Sequence, residues 1–243
     1  MSNRPVLVLT ALPEEAQPLQ RVLPRGEVMI ATTGDGAERA GRATRELVTA
    51  LRPRILLLAG FAGALTRGAQ PGDCRLIHEL RDTTGRTRRP DSAFLERARS
   101  AGLPEDVLVS APRLARTPEE KDRVRRMAGI TSPGTGLVDL ESAACADVAD
   151  EAGVLWLAVC AVSDGLDDRL PRWLEDARDA HGSLSRGAVA AGALLRPVRI
   201  PALLGLARRA RISGRALAQA VPEIVAAVMT AAESEQRLPG SRA

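Results

Sequence analysis

Residues 136–165 read GLVDLESAACADVADEAGVLWLAVCAVSDG and place two apolar runs of strand length around a stretch of helical periodicity. Asp139 and Glu141 stand where the first run ends and the helix begins, and the second run leads straight into Ser163 and Asp164. Alternating strands and helices are typical of an α/β sheet, which binds ligands at the carboxyl ends of its strands. A buried acid there is costly unless it is paired, protonated or used. Asp164 is therefore the leading candidate for a catalytic group, and a helix cap is the alternative.

The same alternation extends through the first two thirds of the chain and predicts one α/β domain over residues 1–236. Its part 165–236 is predicted to be helical, and residues 237–243 are predicted to form a flexible tail. The predicted strands are 5–11, 27–33, 55–60, 74–80, 107–111, 137–140 and 154–162. The predicted helices are 14–23, 37–51, 92–101, 118–127, 142–152, 170–177, 185–195 and a stretch from 201 towards 235.

Prolines and glycines predict where these elements end. Pro197, Pro201 and Pro222 are expected to break the C-terminal helical stretch into pieces, because proline lacks the backbone N–H that a helix interior needs. Residues 81–90 carry Gly, Thr and Arg without periodicity, so they are predicted to form an exposed loop.

Composition excludes several classes of protein. The 34 basic residues against 30 acidic ones give a net charge of +4, but aromatic residues make up only 2% and Tyr is absent, which argues against nucleic-acid binding. No apolar run reaches the roughly 18 to 20 residues of a membrane span, so no transmembrane segment is predicted. Three cysteines without metal-ligand spacing indicate a reduced, cytoplasmic protein.

Three further segments place acids or glycines after predicted strands. In LTALPEEA, Glu14 and Glu15 fall in the first turn of a helix, where acids often do no more than favour the helix dipole. TTGDGAERA (32–40) and LLLAGFAGAL (56–65) are glycine-bearing turns that let the backbone approach a ligand closely. Neither turn fits a dinucleotide-binding or Walker pattern, so each alone indicates a tight turn more than a site.

Taken in order, these motifs resemble those of the nucleoside phosphorylase and nucleosidase superfamily, the purine and uridine phosphorylase-like proteins. TGDGAERA resembles the family's SGIGKVNAA turn, and AGFAGAL followed by PGD resembles TGSAGGL followed by VGD. VDLESAA and AVSD resemble VEMEGAA and AISD at the family spacing, and this pair is the most specific. The resemblance covers most of the chain and implies a three-layer α/β/α domain with a central mixed sheet.

The resemblance also implies roles for individual residues. Asp164 would donate a proton to N7 of a purine, and Glu15 would orient or activate the nucleophile, either water or inorganic phosphate, with no metal or organic cofactor. Glu141 would accept hydrogen bonds from the ribose hydroxyls, and Leu140 would lie beside the sugar or base. The other residues expected to contact the substrate are Asp139, Ser163, Gly34, Gly60, Phe61, Ala62 and Gly63.

The chain departs from the family pattern at four positions. Phe61 stands where a small hydroxyl residue is common, and Cys160 stands where several relatives have Arg. Asp139 replaces Glu, and Leu140 replaces Met. The losses of a hydroxyl and an Arg weaken tight phosphate binding, for which arginines within 81–89 could substitute.

The C-terminal segments DGLDDRLP and RIPALLGLARRARISGRAL resemble the hopanoid-associated phosphorylases, which implies phosphorolysis of adenosylhopane with release of adenine. An apolar groove formed by Leu203, Leu206 and Leu217 near Asp164 is then expected. The alternatives are a hydrolytic nucleosidase for adenosylhomocysteine, methylthioadenosine or futalosine, and an inactive nucleoside-binding relative. The partners implied are a small-molecule nucleoside and further copies of the chain in a homo-oligomer.

Overall fold

An eight-stranded mixed sheet forms the centre of the structure, a computed structural model that describes residues 4–132, 134–176 and 199–236. The strands are β1 (Val6–Thr10), β2 (Val28–Thr32), β3 (Ile55–Ala64), β4 (Cys74–Asp82), β5 (Thr87–Arg88), β6 (Glu105–Ser110), β7 (Leu137–Asp139) and β8 (Leu155–Asp164). The helices are α1 (Pro13–Gln20), α2 (Ala37–Leu51), α3 (Ser92–Ala98) with a following 3₁₀ turn (Arg99–Ala101), α4 (Pro118–Met127), α5 (Ser142–Glu151), α6 (Trp173–Asp176) and α7 (Ile200–Gln236). The predicted α/β class with a mixed sheet is confirmed.

The strand order is β2-β1-β3-β7-β6-β4-β5, and β8 pairs with both β3 and β4. The pairing β3-β8-β4-β6-β7-β3 therefore closes on itself, so that five strands form a barrel-like core beside the open edge of β1 and β2. Strands β1, β2, β3 and β8 run parallel, which brings their carboxyl ends to one edge. This edge is where parallel sheets bind ligands.

The two faces of the sheet are covered by different helices because successive strand residues point to opposite sides. Leu7 and Leu56 pack with α2 and α5 on one face, whereas Val8 and Leu57 pack with α1, α3 and α7 on the other. All four side chains are fully buried. Each such aliphatic side chain contributes about 1.5 to 3 kcal/mol of burial free energy, so both layers stabilise the domain.

A β-bulge at Ser163 of β8 sets the geometry of the binding edge. The register of β3 against β8 shifts between Ala62 and Gly63, and this shift pairs Gly63 with Asp164. Strand β7 is antiparallel to β3 and pairs Val138 with Gly63. The residues that follow Val138 therefore reach the same edge as Asp164.

The prediction of an exposed loop at 81–90 was wrong. Strand β4 continues to Asp82 and forms a hairpin with β5; Thr84–Thr87 and Arg89 are exposed, whereas Arg88 and Pro90 are buried. The Arg88 side chain is buried because its guanidinium donates to both carboxylate oxygens of Asp147, at 2.7 and 2.8 Å. This bidentate pair compensates for removing the charge from water.

Helix α7 also differs from the prediction, since it continues without a break past Pro201 and Pro222. Pro201 falls in the first turn, where no N–H is needed. The turns around Pro222 are held by the fully buried side chains of Leu217, Val221 and Ile224, which outweigh the lost hydrogen bond. Pro197, the predicted helix 185–195 and the tail 237–243 lie outside the described residues.

Within the described ranges, one helical segment, Ile200–Met229, is long and apolar enough to cross a membrane by length and composition alone. Of its most apolar window, 44% is buried against the rest of the protein. Core helices of soluble proteins pass the same test, so the segment is weak evidence for a membrane span.

Candidate active site

A cleft of about 1460 Å³ opens at the carboxyl edge of the parallel strands, between α1 and the first turns of α7. Its volume exceeds the roughly 300 to 1,000 Å³ of ordinary small-molecule pockets. The residues predicted to form the site come together here, since the cleft is lined by Glu15, Gly34, Phe61, Ala62, Gly63, Asp139, Leu140, Glu141, Ser163 and Asp164. Gly60 lies behind this lining, against Glu15.

Asp164 is held on both carboxylate oxygens. Oδ2 accepts a hydrogen bond from Lys121 Nζ at 2.5 Å, and Oδ1 accepts one from Ser163 Oγ at 2.7 Å. Lys121 Nζ also donates to the carbonyl oxygen of Gly165 at 2.5 Å. The Lys121 side chain is completely buried, and 8% of the Asp164 side chain is exposed to the cleft. The acid predicted to act on the substrate therefore forms a buried ion pair.

Gly63 is required for this placement of Asp164. A Cβ atom at position 63 would lie 2.9 Å from Asp164 Oδ2 and 3.3 Å from Val138 Cγ1. Real Cβ atoms almost never approach another atom as closely as the first of these distances. The absence of a side chain at Gly63 thus leaves room for the carboxylate.

We expect Gly63→Ala to displace the Asp164 carboxylate and lower kcat for base release about 100-fold, because a misplacement of about 1 Å at a reacting group has that effect. Steady-state assays of base release check this. Gly205→Ala, on the exposed face of α7 where an added Cβ meets nothing within 4 Å, is the matched control. Full activity in Gly63→Ala would show that the close approach does not position Asp164.

Glu15 accepts three backbone hydrogen bonds from two separate segments. Oε2 accepts from the N–H groups of Ala11 and Leu12, both at 2.8 Å, and Oε1 accepts from the N–H of Phe61 at 2.7 Å. Burial raises the pKa of Glu15 to about 7, although these hydrogen bonds oppose the rise and the nearby Asp35 adds to it. A carboxyl group that titrates near neutral pH suits proton transfer.

Glu141 belongs to a cluster of three acids. Its Oε1 accepts from the N–H of Gly36 at 2.7 Å, and burial, followed by the nearby charges of Asp139 and Asp35, raises its pKa well above the usual range. Asp139 accepts from Ser110 Oγ at 2.6 Å and from the N–H of Ser142 at 3.0 Å, and burial raises its pKa as well. This cluster favours ligands that donate hydrogen bonds, as sugar hydroxyls do.

Lys121 and Asp35 were not predicted to belong to the site. Asp35 lines the cleft from the glycine turn of residues 32–40, and Gly34 and Gly36 on either side have φ angles of +88° and +95°. An acid between two glycines after a strand was therefore a usable signal. For Lys121, the one signal in the sequence is that it is the single lysine of the chain.

The residues that depart from the family pattern have clear positions. The Phe61 side chain lines the cleft, and Cys160 is buried within β8, where burial raises the pKa of its thiol well above the usual range. Arginines within 81–89 do not replace the missing groups, because Arg81 and Arg89 pair with Glu79 and none of them lines the cleft in the described part of the chain. That expectation was wrong. The arginines that do line the cleft are Arg21, Arg39, Arg42, Arg209, Arg211 and Arg215.

The expected apolar groove is present in part. Leu203 and Leu206 of α7 line the same cleft as Asp164. Leu217 does not, because it is fully buried in the core between α7 and the sheet. In the described ranges, no group of three or more His, Cys, Asp or Glu side chains is arranged to hold a metal ion.

Solved structures share this fold over nearly the whole chain. The 5′-methylthioadenosine/S-adenosylhomocysteine nucleosidase of Neisseria meningitidis is 17% identical, with a TM-score of 0.69 over 91% of this chain and 98% of its own. The futalosine hydrolase of Helicobacter pylori is 16% identical, with a TM-score of 0.65 over 90% of this chain and 98% of its own. At these identities the likeness establishes the fold alone.

The sequence itself decides the family. No curated protein gives a significant match to the chain. The family model described as the phosphorylase superfamily matches residues 19–196, which span the strands from β2 to β8 and the cleft acids Asp35, Asp139, Glu141 and Asp164. The chain belongs to the phosphorylase superfamily.

Proposed function

We propose that the protein cleaves the N-glycosidic bond of an adenosine-type nucleoside and releases adenine. The observation that carries this proposal is the meeting of Asp164, Glu141 and Glu15 in one cleft at the carboxyl edge of the sheet. The three acids are distant from one another in the sequence, because they come from α1, the turn before α5 and the end of β8. The fold therefore brings them together. Membership of the superfamily supports the same chemistry.

Each acid has a distinct part in the proposed reaction. Asp164 donates a proton to N7, so that the base leaves as a neutral molecule while positive charge develops on the sugar. Glu141 accepts hydrogen bonds from the ribose hydroxyls, which strengthen as the sugar becomes cationic. Glu15 takes a proton from the attacking nucleophile, and its pKa of about 7 makes the ionised form available at neutral pH.

Chromatography of free adenine after incubation with adenosine tests the proposal. Adenine should appear with the protein and not with the Asp164→Asn variant. A nucleoside that raises the melting temperature but is never cleaved would instead identify an inactive nucleoside-binding relative.

We further propose that the nucleoside carries a long apolar 5′ substituent, for which adenosylhopane is the candidate. Support comes from Leu203 and Leu206, which line the same cleft as the acids, and from a volume larger than a nucleoside needs. Burial of each CH₂ group contributes about 0.8 kcal/mol, so kcat/KM should rise along a series of 5′-alkylthioadenosines. Leu206→Ser should flatten this rise, and an unchanged kcat/KM along the series would contradict the proposal.

Hydrolysis is the second candidate, with adenosylhomocysteine, methylthioadenosine or futalosine as substrates. The geometry of Glu15 favours it, because the N–H groups of Ala11, Leu12 and Phe61 already donate to this carboxylate and would not be free for phosphate. Adenine release in phosphate-free buffer separates the two reactions. Full activity without phosphate indicates hydrolysis, and strict phosphate dependence indicates phosphorolysis.

The role of Glu141 gives a prediction about the sugar. A hydrogen bond contributes about 0.5 to 1.5 kcal/mol, so Glu141→Gln should lower kcat/KM for adenosine by up to about 10-fold. The loss should be much smaller for 2′-deoxyadenosine, which lacks one of the hydroxyls. Parallel assays of the two nucleosides check this, and an equal loss for both would reassign Glu141 to a structural role.

A further inference from the structure

Lys121 forms the most deeply buried charge contact of the candidate site. Its Nζ atom lies 2.5 Å from Asp164 Oδ2 and 2.5 Å from the carbonyl oxygen of Gly165, and none of its side chain is exposed. Removing both charges from water is costly, and a well-packed apolar pair of similar volume often serves stability as well. The pair therefore calls for a chemical explanation in addition to a structural one.

The presence of a lysine, and not an arginine, at position 121 indicates what that explanation is. The chain has 34 basic residues, and all except Lys121 are Arg. Arginine would supply the same charge, but it cannot give up its proton in a protein, whereas a buried lysine can. Among the residues that the structure describes, the single lysine of the chain is the basic residue that contacts the proposed general acid.

The ion pair also leaves the source of the proton for N7 unexplained in the proposed reaction. While Nζ carries the proton, the Asp164 carboxylate has none to donate to N7. We propose that Lys121 is the proton source behind Asp164, an inference that rests on the proposed function. As the glycosidic C–N bond breaks, its electron pair passes to the base, N7 gains a proton from the Asp164 carboxyl group, and this group gains one from Nζ. Lys121 is left as a neutral amine and regains a proton from water after the base departs.

The charges around the pair come from three elements. Beyond β8, the N–H of Gly165 donates to Asp168 at 2.8 Å, and Asp168 pairs with Arg209 of α7 at 2.8 Å. These two side chains are about one third exposed, so the chain of contacts leads from Lys121 to solvent. On and before α4, Glu120 is paired with Arg116 and Asp122 with Arg125. Asp164 is the acid that contacts Nζ directly.

Two variants of Lys121 separate proton donation from charge balance. Lys121→Arg keeps the charge and loses the transferable proton, so kcat for adenosine should fall about 100-fold, the lower range for general acid catalysis. Its melting temperature and its binding of tubercidin, in which carbon replaces N7, should stay close to those of the wild type. Lys121→Met removes this proton source and leaves Asp164 to take its proton from solvent, so its kcat should rise as the pH falls from 9 to 7, above the range in which Glu15 gains a proton, whereas that of the wild type should not. Arg126→Met, on the exposed side of α4, is the matched control.

Near wild-type kcat in a folded Lys121→Arg variant would overturn the inference and leave Lys121 as a countercharge that positions Asp164. If Arg does not fit the site and the variant unfolds, the pH profile of Lys121→Met decides, and a profile parallel to that of the wild type overturns the inference. Failure of the proposed function is a different result, because the wild-type protein would then release no base from adenosine at any pH.

Discussion

Asp164→Asn is expected to slow adenine release by about 2 to 4 orders of magnitude, the usual scale of general acid catalysis. An amide cannot supply the acidic proton that N7 needs. It can still accept a hydrogen bond from Lys121 Nζ, so the side chain should keep its place beside Ser163. Single-turnover measurements of free adenine, with the protein in saturating excess over the nucleoside, report this loss without interference from product release.

Stability must be measured alongside, because Asp164→Asn leaves the buried ammonium of Lys121 without its countercharge. Breaking a buried ion pair costs about 3 to 5 kcal/mol of unfolding free energy, so the melting temperature should fall. Asp167→Asn is the matched control, since Asp167 lies three residues further on and forms only an exposed pair with Arg67. If Asp164→Asn is folded and keeps wild-type turnover, Asp164 is not the general acid.

Glu15→Gln is expected to have an effect of similar size, about 2 to 4 orders of magnitude in kcat, because an amide cannot accept a proton from the nucleophile. Substrate binding should change little, so the loss should appear in kcat and not in KM. Glu14→Gln is the natural control, since Glu14 follows the same strand and is exposed. Retained turnover in Glu15→Gln would leave the nucleophile without an assigned base.

The pKa of Glu15 adds a dependence on pH in both activity and stability. The ionised carboxylate acts as the base, so kcat/KM of the wild type should rise with pH up to about 7 and then level.

The folded state raises the pKa of Glu15 above 4.5, so folding favours the protonated form, and stability falls as the pH rises from about 4.5 to 7. The shift corresponds to about 3 kcal/mol. The unfolding free energy of Glu15→Gln relative to the wild type should therefore increase by about that amount between pH 4.5 and 8.

The sequence predicts the sheet well because its central strands are simple apolar runs. Strands β1, β3 and β8 are buried on both faces, so each is an almost continuous apolar run of strand length. Strand β5 has two residues and no periodicity, so its place in the hairpin depends on the buried contact between Arg88 and Asp147. The unbroken course of α7 through Pro222 likewise depends on tertiary packing, which a local rule about proline does not contain.

The candidate site likewise contains some residues that could be predicted from the sequence and one that could not. Glu141 and Asp164 could be predicted because they stand just after the end of β7 and at the end of β8, and Glu15 because it lies in the first turn of the helix that follows β1. Strand ends of this kind meet at one edge of the sheet. Lys121 could not, because it lies within a helix, and its contact with Asp164 depends on how α4 packs against the end of β8. Its burial also contradicts the ordinary expectation for lysine.

Mutations at the two ends of α7 have different consequences. Its later turns, with Leu217, Val221 and Ile224, are buried in the core, and substitutions there alter folding. Its first turns line the cleft with Leu203 and Leu206 and leave Leu204 66% exposed, so substitutions there change the lining of the cleft at little cost in stability. Related proteins can therefore acquire new substrates by changing a few residues near the start of one helix, while the acids and the sheet beneath stay the same.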